Sequence, residues 1–163
     1  MNETQNYLHM MIESLKKKDN VLTKIITKNE AQSECVVDKE YGDIDWDRFN
    51  ILISEKDVLI NRINELDQGF ESLYERIRYD VTANKDIYKS EIKTMQELIE
   101  GIVEKGTKIQ TQEERNRAKI EKILLGAKKE IKQSRKSMQV VSSYYKSMSN
   151  PSGEIDATMD RKK

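Results

Sequence analysis

Four leucines spaced seven residues apart, Leu52, Leu59, Leu66 and Leu73, constrain the fold of this chain more than any other feature. They belong to a longer series with Phe49, Ile63, Phe70 and Ile77, which advances by threes and fours once Lys56 is counted as a polar slot. Such steps keep side chains on one stripe of an α-helix, and a strict seven-residue repeat marks a coiled-coil seam. The intervening residues are mostly charged, among them Glu55, Arg62, Glu65, Asp67, Glu71 and Glu75. A lone helix of this kind is marginal in water, because its apolar stripe has nothing to bury against. The stretch 49–77 therefore needs partners, and the chain supplies two candidates.

Upstream, Leu8, Met11, Leu15, Leu22 and Ile25 repeat the pattern, with Lys18 in the slot that corresponds to Lys56. Downstream, Tyr88, Ile92, Met95, Ile99, Ile102 and Ile109 keep the three-four spacing. Glu113 and Asn116 interrupt it, and it resumes from Ile120 through Ala127, Ile131, Met138, Val141, Tyr145 and Met148. The spacing predicts helices over about 3–38, 44–81 and 85–148. The first boundary is expected near Tyr41 and Gly42, since glycine commonly ends helices. Asp43 or Asp45 is placed to cap the second helix, and Thr82 or Asn84 to cap the third. The expected class is all-α: an elongated antiparallel helical bundle or coiled coil of about three long helices, one domain over 1–148, with a disordered tail over 149–163. Leu8, Leu15 and Leu22 should meet Leu59, Leu66 and Leu73 in an antiparallel core. Lys18 and Lys56 should lie at its edge, with stems on apolar surface and heads in water. A third helix of about 60 residues would be about 90 Å long. It must bend back near Gly106 or project beyond its shorter partners.

Apolar and charged residues each make up 36% of the chain, a balance suited to long amphipathic helices. A single proline, Pro151, leaves the helices unbroken. The 29 basic and 29 acidic residues cancel, so bulk charge points to neither nucleic acid nor membrane. Cys35 is the lone cysteine, which fits a reducing compartment. No apolar signal core opens the chain and no run approaches the ~20 apolar residues of a membrane span, so a cytoplasmic protein is expected.

Sites of chemistry are hard to find. Asp43, Asp45 and Asp47 alternate like a calcium loop, but Arg48 and Ser54 stand where glycine and glutamate are needed. His9 has no ligand-type neighbour at zinc spacing. No phosphate-cradling glycine loop or nucleophile elbow occurs. The expectation is a binding protein without enzymatic activity, metal, cofactor or small-molecule substrate. One run does stand out. Over residues 115–136, nine basic side chains face only Glu121 and Glu130. Most such runs are solvated helix faces. This one, with Lys128, Lys132, Arg135 and Lys136 at its end, can also steer an acidic partner. Directly after it, Ile131, Met138, Val141, Tyr145 and Met148, with Tyr144 at the rim, form a stripe that a projecting helix would leave uncovered. Exposed Met and Tyr are typical of adaptable binding surfaces.

Several segments resemble the FlgN family of flagellar export chaperones. They are the run Gly42, Asp43, Ile44, Asp45, Trp46; then Phe49, Glu55, Lys56, Leu59 and the run Ile63, Asn64, Glu65, Leu66. The run Glu114, Arg115, Asn116, Arg117, Ala118, Lys119, Ile120 is similar to the segment before that family's C-terminal helix, and the basic end at Arg161, Lys162 and Lys163 is similar to its short basic terminus. The resemblance implies a cytoplasmic type III export chaperone. Such a protein binds the C-terminal helices of hook-associated (hook–filament junction) proteins in a helix-in-groove mode, prevents premature assembly and delivers them to the flagellar export apparatus. The competing reading is a coiled-coil adaptor that self-associates through the same stripes. A carboxylate-based enzyme or metal protein has no residues at ligand spacing to support it.

Overall fold

The computed structural model describes residues 1–146. These form three long helices: α1 over Glu3–Val36, α2 over Trp46–Ala83 and α3 over Lys89–Lys146, with a short 3-10 turn at Tyr41–Asp43. The tail 149–163 lies outside the described residues. The all-α architecture of three long helices is as the periodicity predicts.

Each boundary has a local cause. Asn2 caps α1: its Oδ1 accepts from the Gln5 backbone N–H at 2.7 Å, and Gln5 Oε1 accepts from the Asn2 N–H at 3.1 Å. This reciprocal pair satisfies two of the donors that every helix start leaves open. Asp45 caps α2 by accepting from the Arg48 N–H at 3.0 Å. The end of α1 differs from the expectation. Gly42 does not set it; the helix closes six residues earlier, and Asp38, at φ 54°, makes the left-handed turn. Aspartate is among the few residues besides glycine that adopt this conformation. Cys35 and Val36, an apolar run without obvious helical spacing, are the buried last turn of α1. Asn84 serves as the C-cap of α2, while Thr82 lies within that helix.

Side-chain contacts fix the topology. From the turn toward the far end, α1–α2 pairs run from Lys28 with Glu55 to Thr4 with Asp80, so their sequence separation widens from 27 to 76 residues. These two helices are antiparallel. Pairs between α1 and α3 keep a nearly constant separation of 82 to 87 residues: Asn2 with Tyr88, Thr23 with Lys105, Asn29 with Asn116. Helices α1 and α3 therefore run parallel.

The central element is α1, not the leucine-repeat helix α2. Every apolar cluster contains residues of α1. Leu8 and Met11 meet Ile77 and Tyr88 at one end. Leu15 and Leu22 meet Ile102, and Val21 and Ile25 meet Leu66, in the middle. Cys35 and Val36 meet Ile44, Phe49 and Leu52 at the other end. Helix α1 packs along both α2 and α3, whereas α2 and α3 reach each other through side chains. Two of the six predicted core leucines, Leu59 and Leu73, are consequently only half-buried. Burying each of the others contributes roughly 1.5–3 kcal/mol.

Polar interruptions in the three stripes meet at one level. Lys56 is 7% exposed. Its Nζ donates to Glu113 Oε1 at 2.6 Å and to Asn29 Oδ1 at 2.9 Å. Asn29 Nδ2 donates to Gln112 Oε1 at 3.2 Å, and Asn116 Nδ2 donates to the Asn29 carbonyl at 3.1 Å. Lys56 is thus a buried hub joining all three helices, contrary to the edge position expected for it. Lys18 does keep that position: it is half-buried and pairs with Asp67 at 2.8 Å. The two slots correspond in sequence spacing, but only Lys56 faces both neighbouring helices.

A second polar group ties the opposite end. Asp80 accepts hydrogen bonds from Thr4 Oγ1 and Tyr88 Oη, both at 2.6 Å, and from Asn84 Nδ2 at 2.7 Å. The Thr4 bond first, then those from Tyr88 and Asn84, hold its carboxyl below the usual carboxylate range. This clasp pins the α2–α3 turn to the start of α1.

A candidate docking surface on the third helix

The parallel offset of α1 and α3 decides what α3 leaves uncovered. At that offset Val36, the last residue of α1, stands level with Ile123, and the two belong to one cluster. Helix α3 continues without interruption to Lys146. The stretch 124–146 extends about 35 Å past the end of α1 at 1.5 Å per residue. Of the two geometries open to the third helix, projection is the one adopted. Gly106 lies inside the unbroken helix, with open space where a Cβ would stand.

The residues that α3 presents to α1 advance by threes and fours: Ile92, Met95, Leu98, Ile102, Lys105, Ile109, Gln112, Asn116, Ile120 and Ile123. Continued past the end of α1, the same steps give Ala127, Ile131, Ser134, Met138 and Val141. So the uncovered stripe is the α1-facing side of α3, prolonged where α1 is absent. Ile131 is 53% exposed, Met138 39% and Val141 52%. Leu124 is exposed on one flank, and Leu125 and Val140 are exposed toward the opposite face. The side chains of Tyr144 and Tyr145, and the whole of Met148, lie outside what the structure describes.

Lys128 is exposed and Arg135 half-buried on one flank of this stripe, whereas Lys132 and Lys136 are exposed toward the opposite face of α3. The basic run therefore lies mostly on the back of this segment and meets the stripe along one flank.

Sequence reasoning missed the feature at the base of the stripe. Residues 36–41, which connect α1 to the 3-10 turn, face α3 across a groove of about 420 Å³. Val36, Val37 and Tyr41 line one wall; Lys119, Lys122, Ile123, Gly126, Ala127 and Glu130 line the other. The Tyr41 wall is braced: Trp46 Nε1 donates to the Tyr41 carbonyl at 3.1 Å, and Trp46 packs between Tyr41 and Phe49, with ring centroids 5.2 and 5.6 Å apart. The signal for this groove was the aromatic spacing of Tyr41, Trp46 and Phe49 around Gly42. Those residues read in sequence as a turn and a helix start, with no indication that the turn would lie against α3.

Among the described residues no group of His, Cys, Asp and Glu is placed to hold a metal ion, and no helix is long and apolar enough to cross a membrane. No family model, curated protein or solved structure matches this chain.

Proposed function

We propose that this chain is a binding protein of the export-chaperone kind, holding an amphipathic helix of an unassembled client against the uncovered stripe of α3. The observation that carries the reading is the stripe itself: Ile131, Met138 and Val141 continue the α1-facing side of α3 beyond the end of α1. A soluble helix with an apolar stripe gains by covering it, and a helix laid into such a groove is a recurrent recognition mode. The resemblance to the FlgN family gives the client a class, the C-terminal helices of hook-associated flagellar proteins. It also gives the context: cytoplasmic retention followed by release to the export apparatus. Release requires moderate affinity, which suits a client helix that must be ordered on binding. Lys128, Lys132, Arg135 and Lys136 serve encounter more than affinity.

The test is calorimetric titration of the protein with the C-terminal helix of a hook-associated protein, run beside thermal melting. Val141→Ala with Tyr145→Ala should weaken binding by several kcal/mol, the scale of anchor residues, and leave the melting midpoint almost unmoved. Intact binding, or a large loss of stability, would sink the reading.

A further inference from the structure

Three columns at strict seven-residue spacing run through the bundle, and each is broken once by a polar residue. On α1 the column is Leu8, Leu15, Leu22, Asn29 and Val36, all buried. On α2 it is Phe49, Lys56, Ile63, Phe70 and Ile77, and on α3 it is Met95, Ile102, Ile109, Asn116 and Ile123. The apolar members share clusters level by level. Leu8 lies with Ile77 and Met95, and Val36 with Phe49 and Ile123. Between them, Leu15 and Leu22 lie with Ile63, Phe70, Ile102 and Ile109. The three polar members fall on one level and are joined through Asn29. We infer that this polar level sets the register of α3 on α1, and with it the length of α3 that α1 leaves uncovered. The inference concerns the protein alone and does not depend on the proposed client.

The apolar contacts do not fix this register by themselves. A column that repeats every seven residues matches itself again after a slide of seven, about 10.5 Å along the helix. Three of the four apolar members on α3 are isoleucine, so packing distinguishes little between one position and the next. The turn at residues 84–88 reaches about 16 Å when extended, so it can follow such a slide. The ion pair of Lys105 with Asp19 is about one-third exposed on both sides and contributes little. The polar level is different, because it matches at one position alone. A slide in either direction carries Asn116 to Leu22 or Val36 and brings Ile109 or Ile123 to Asn29. It also takes Glu113 away from Lys56, which is 7% exposed. A buried ammonium and buried amides are then left without partners, the costly outcome for polar groups in a core. One polar level among repeated apolar ones is a recognised way to specify register. Its effect reaches the far end of the molecule. A slide one way would uncover residues 117–146, and a slide the other way only 131–146, in place of 124–146.

Disulfide trapping in the full chain, with Cys35→Ala throughout, reads the register directly. Lys105→Cys is paired with Asp19→Cys, whose side chains meet in the structure, or with Ile12→Cys or Ile26→Cys, one heptad to either side. Mild oxidation followed by non-reducing electrophoresis should join position 105 to 19 in the otherwise unchanged chain. Adding Asn29→Leu, Lys56→Met and Asn116→Leu replaces the polar level as a unit, so the melting midpoint should not fall. Joining of 105 to 12 or 26 should then rise about tenfold, because slid registers no longer strand a polar group. A second variant keeps the composition and moves the mark by seven residues: Gly106→Glu with Glu113→Gly, and Ile109→Asn with Asn116→Ile. A Cβ at Gly106 meets nothing within 4 Å. This chain should join 105 to 26 in preference to 19, and it decides the matter if the apolar variant does not fold. Tyr88→Phe, which removes the Tyr88 bond to Asp80, should leave 105 joined to 19. A folded apolar variant that keeps the original pattern overturns the inference. So does a moved mark that leaves 105 joined to 19 or abolishes folding, and so does a pattern shifted by Tyr88→Phe alone.

Discussion

The two halves of α3 are written in the same alphabet and live in different surroundings. Residues 89–123 lie along α1 and place Ile102 in the core at 9% exposure; residues 124–146 continue the same stripe and leave Ile131 53% exposed. The spacing of apolar residues is alike in both. What differs is the presence of a neighbour, and that depends on where α1 ends and on the parallel offset at which it lies. An amphipathic stripe states that something should cover a helix. It does not state whether the cover belongs to the same chain.

The contrast yields graded expectations. Ile102→Ala should destabilise the fold by about 2–5 kcal/mol, the usual cost of emptying a buried aliphatic site. Ile131→Ala should stay within about 0.5 kcal/mol. Chemical denaturation of the two variants side by side checks the pair. Equal losses would mean that the distal stripe is core after all.

The next effect belongs to the polar layer that closes the covered half. Lys56→Met leaves Asn29 Oδ1 and Glu113 without their donor. Because the Glu113 side chain is 41% exposed and can take up water, the expected cost is about 1–3 kcal/mol, below that of breaking a fully buried pair. Lys18→Met, at the solvated slot, should cost less than about 1 kcal/mol. A double-mutant cycle on Lys56 and Glu113 should show coupling, and one on Lys18 and Glu113 should show none.

These two lysines also show where sequence reasoning stops. Three long helices, their order and four of the six leucines expected in the core, Leu8, Leu15, Leu22 and Leu66, follow from periodicity alone, because steps of three and four have one structural meaning. The role of Lys56 does not follow. It requires knowing that Asn29, Gln112, Glu113 and Asn116, scattered over two other stripes, stand at one level. Similarly, the distal residues Ile131, Met138 and Val141 were legible as a stripe, and their exposure followed from helix lengths. The groove at residues 36–41 was not legible, since Asp38 rather than Gly42 turns the chain. Asp38 carries a weaker turn signal than Gly42 four residues on.

A smaller effect sits at the clasped end. The carboxyl of Asp80 is held below its ordinary value in the fold, so it contributes stability above the unfolded-state pKa of about 3.9. That contribution fades as pH falls through the folded value. Asp80→Asn should therefore lower the melting midpoint slightly at pH 7 and flatten the decline in stability below about pH 4. An unchanged acid slope would argue against the clasp. Smallest of all on stability is charge reversal at Lys132 and Lys136, which should leave melting unchanged and slow client association, less so at high salt. Stopped-flow mixing separates the rate from the affinity.

The position of α1 between its neighbours has a kinetic consequence. Contacts between α1 and α2 begin near the turn, where Val36 and Phe49 share one cluster, and lengthen steadily through Lys28 with Glu55 to Thr4 with Asp80, so that pair can zip from its turn with each step closing a small additional loop. Contacts between α1 and α3 have no short starting point: they are 82 to 87 residues apart throughout. Only after the first hairpin has formed does the turn at residues 84–88 deliver α3 to the start of α1. Folding should then proceed in a fixed order, with the α1–α2 hairpin ahead of α3 docking. Truncating Leu52 should slow refolding, whereas truncating Ile102 should mainly hasten unfolding.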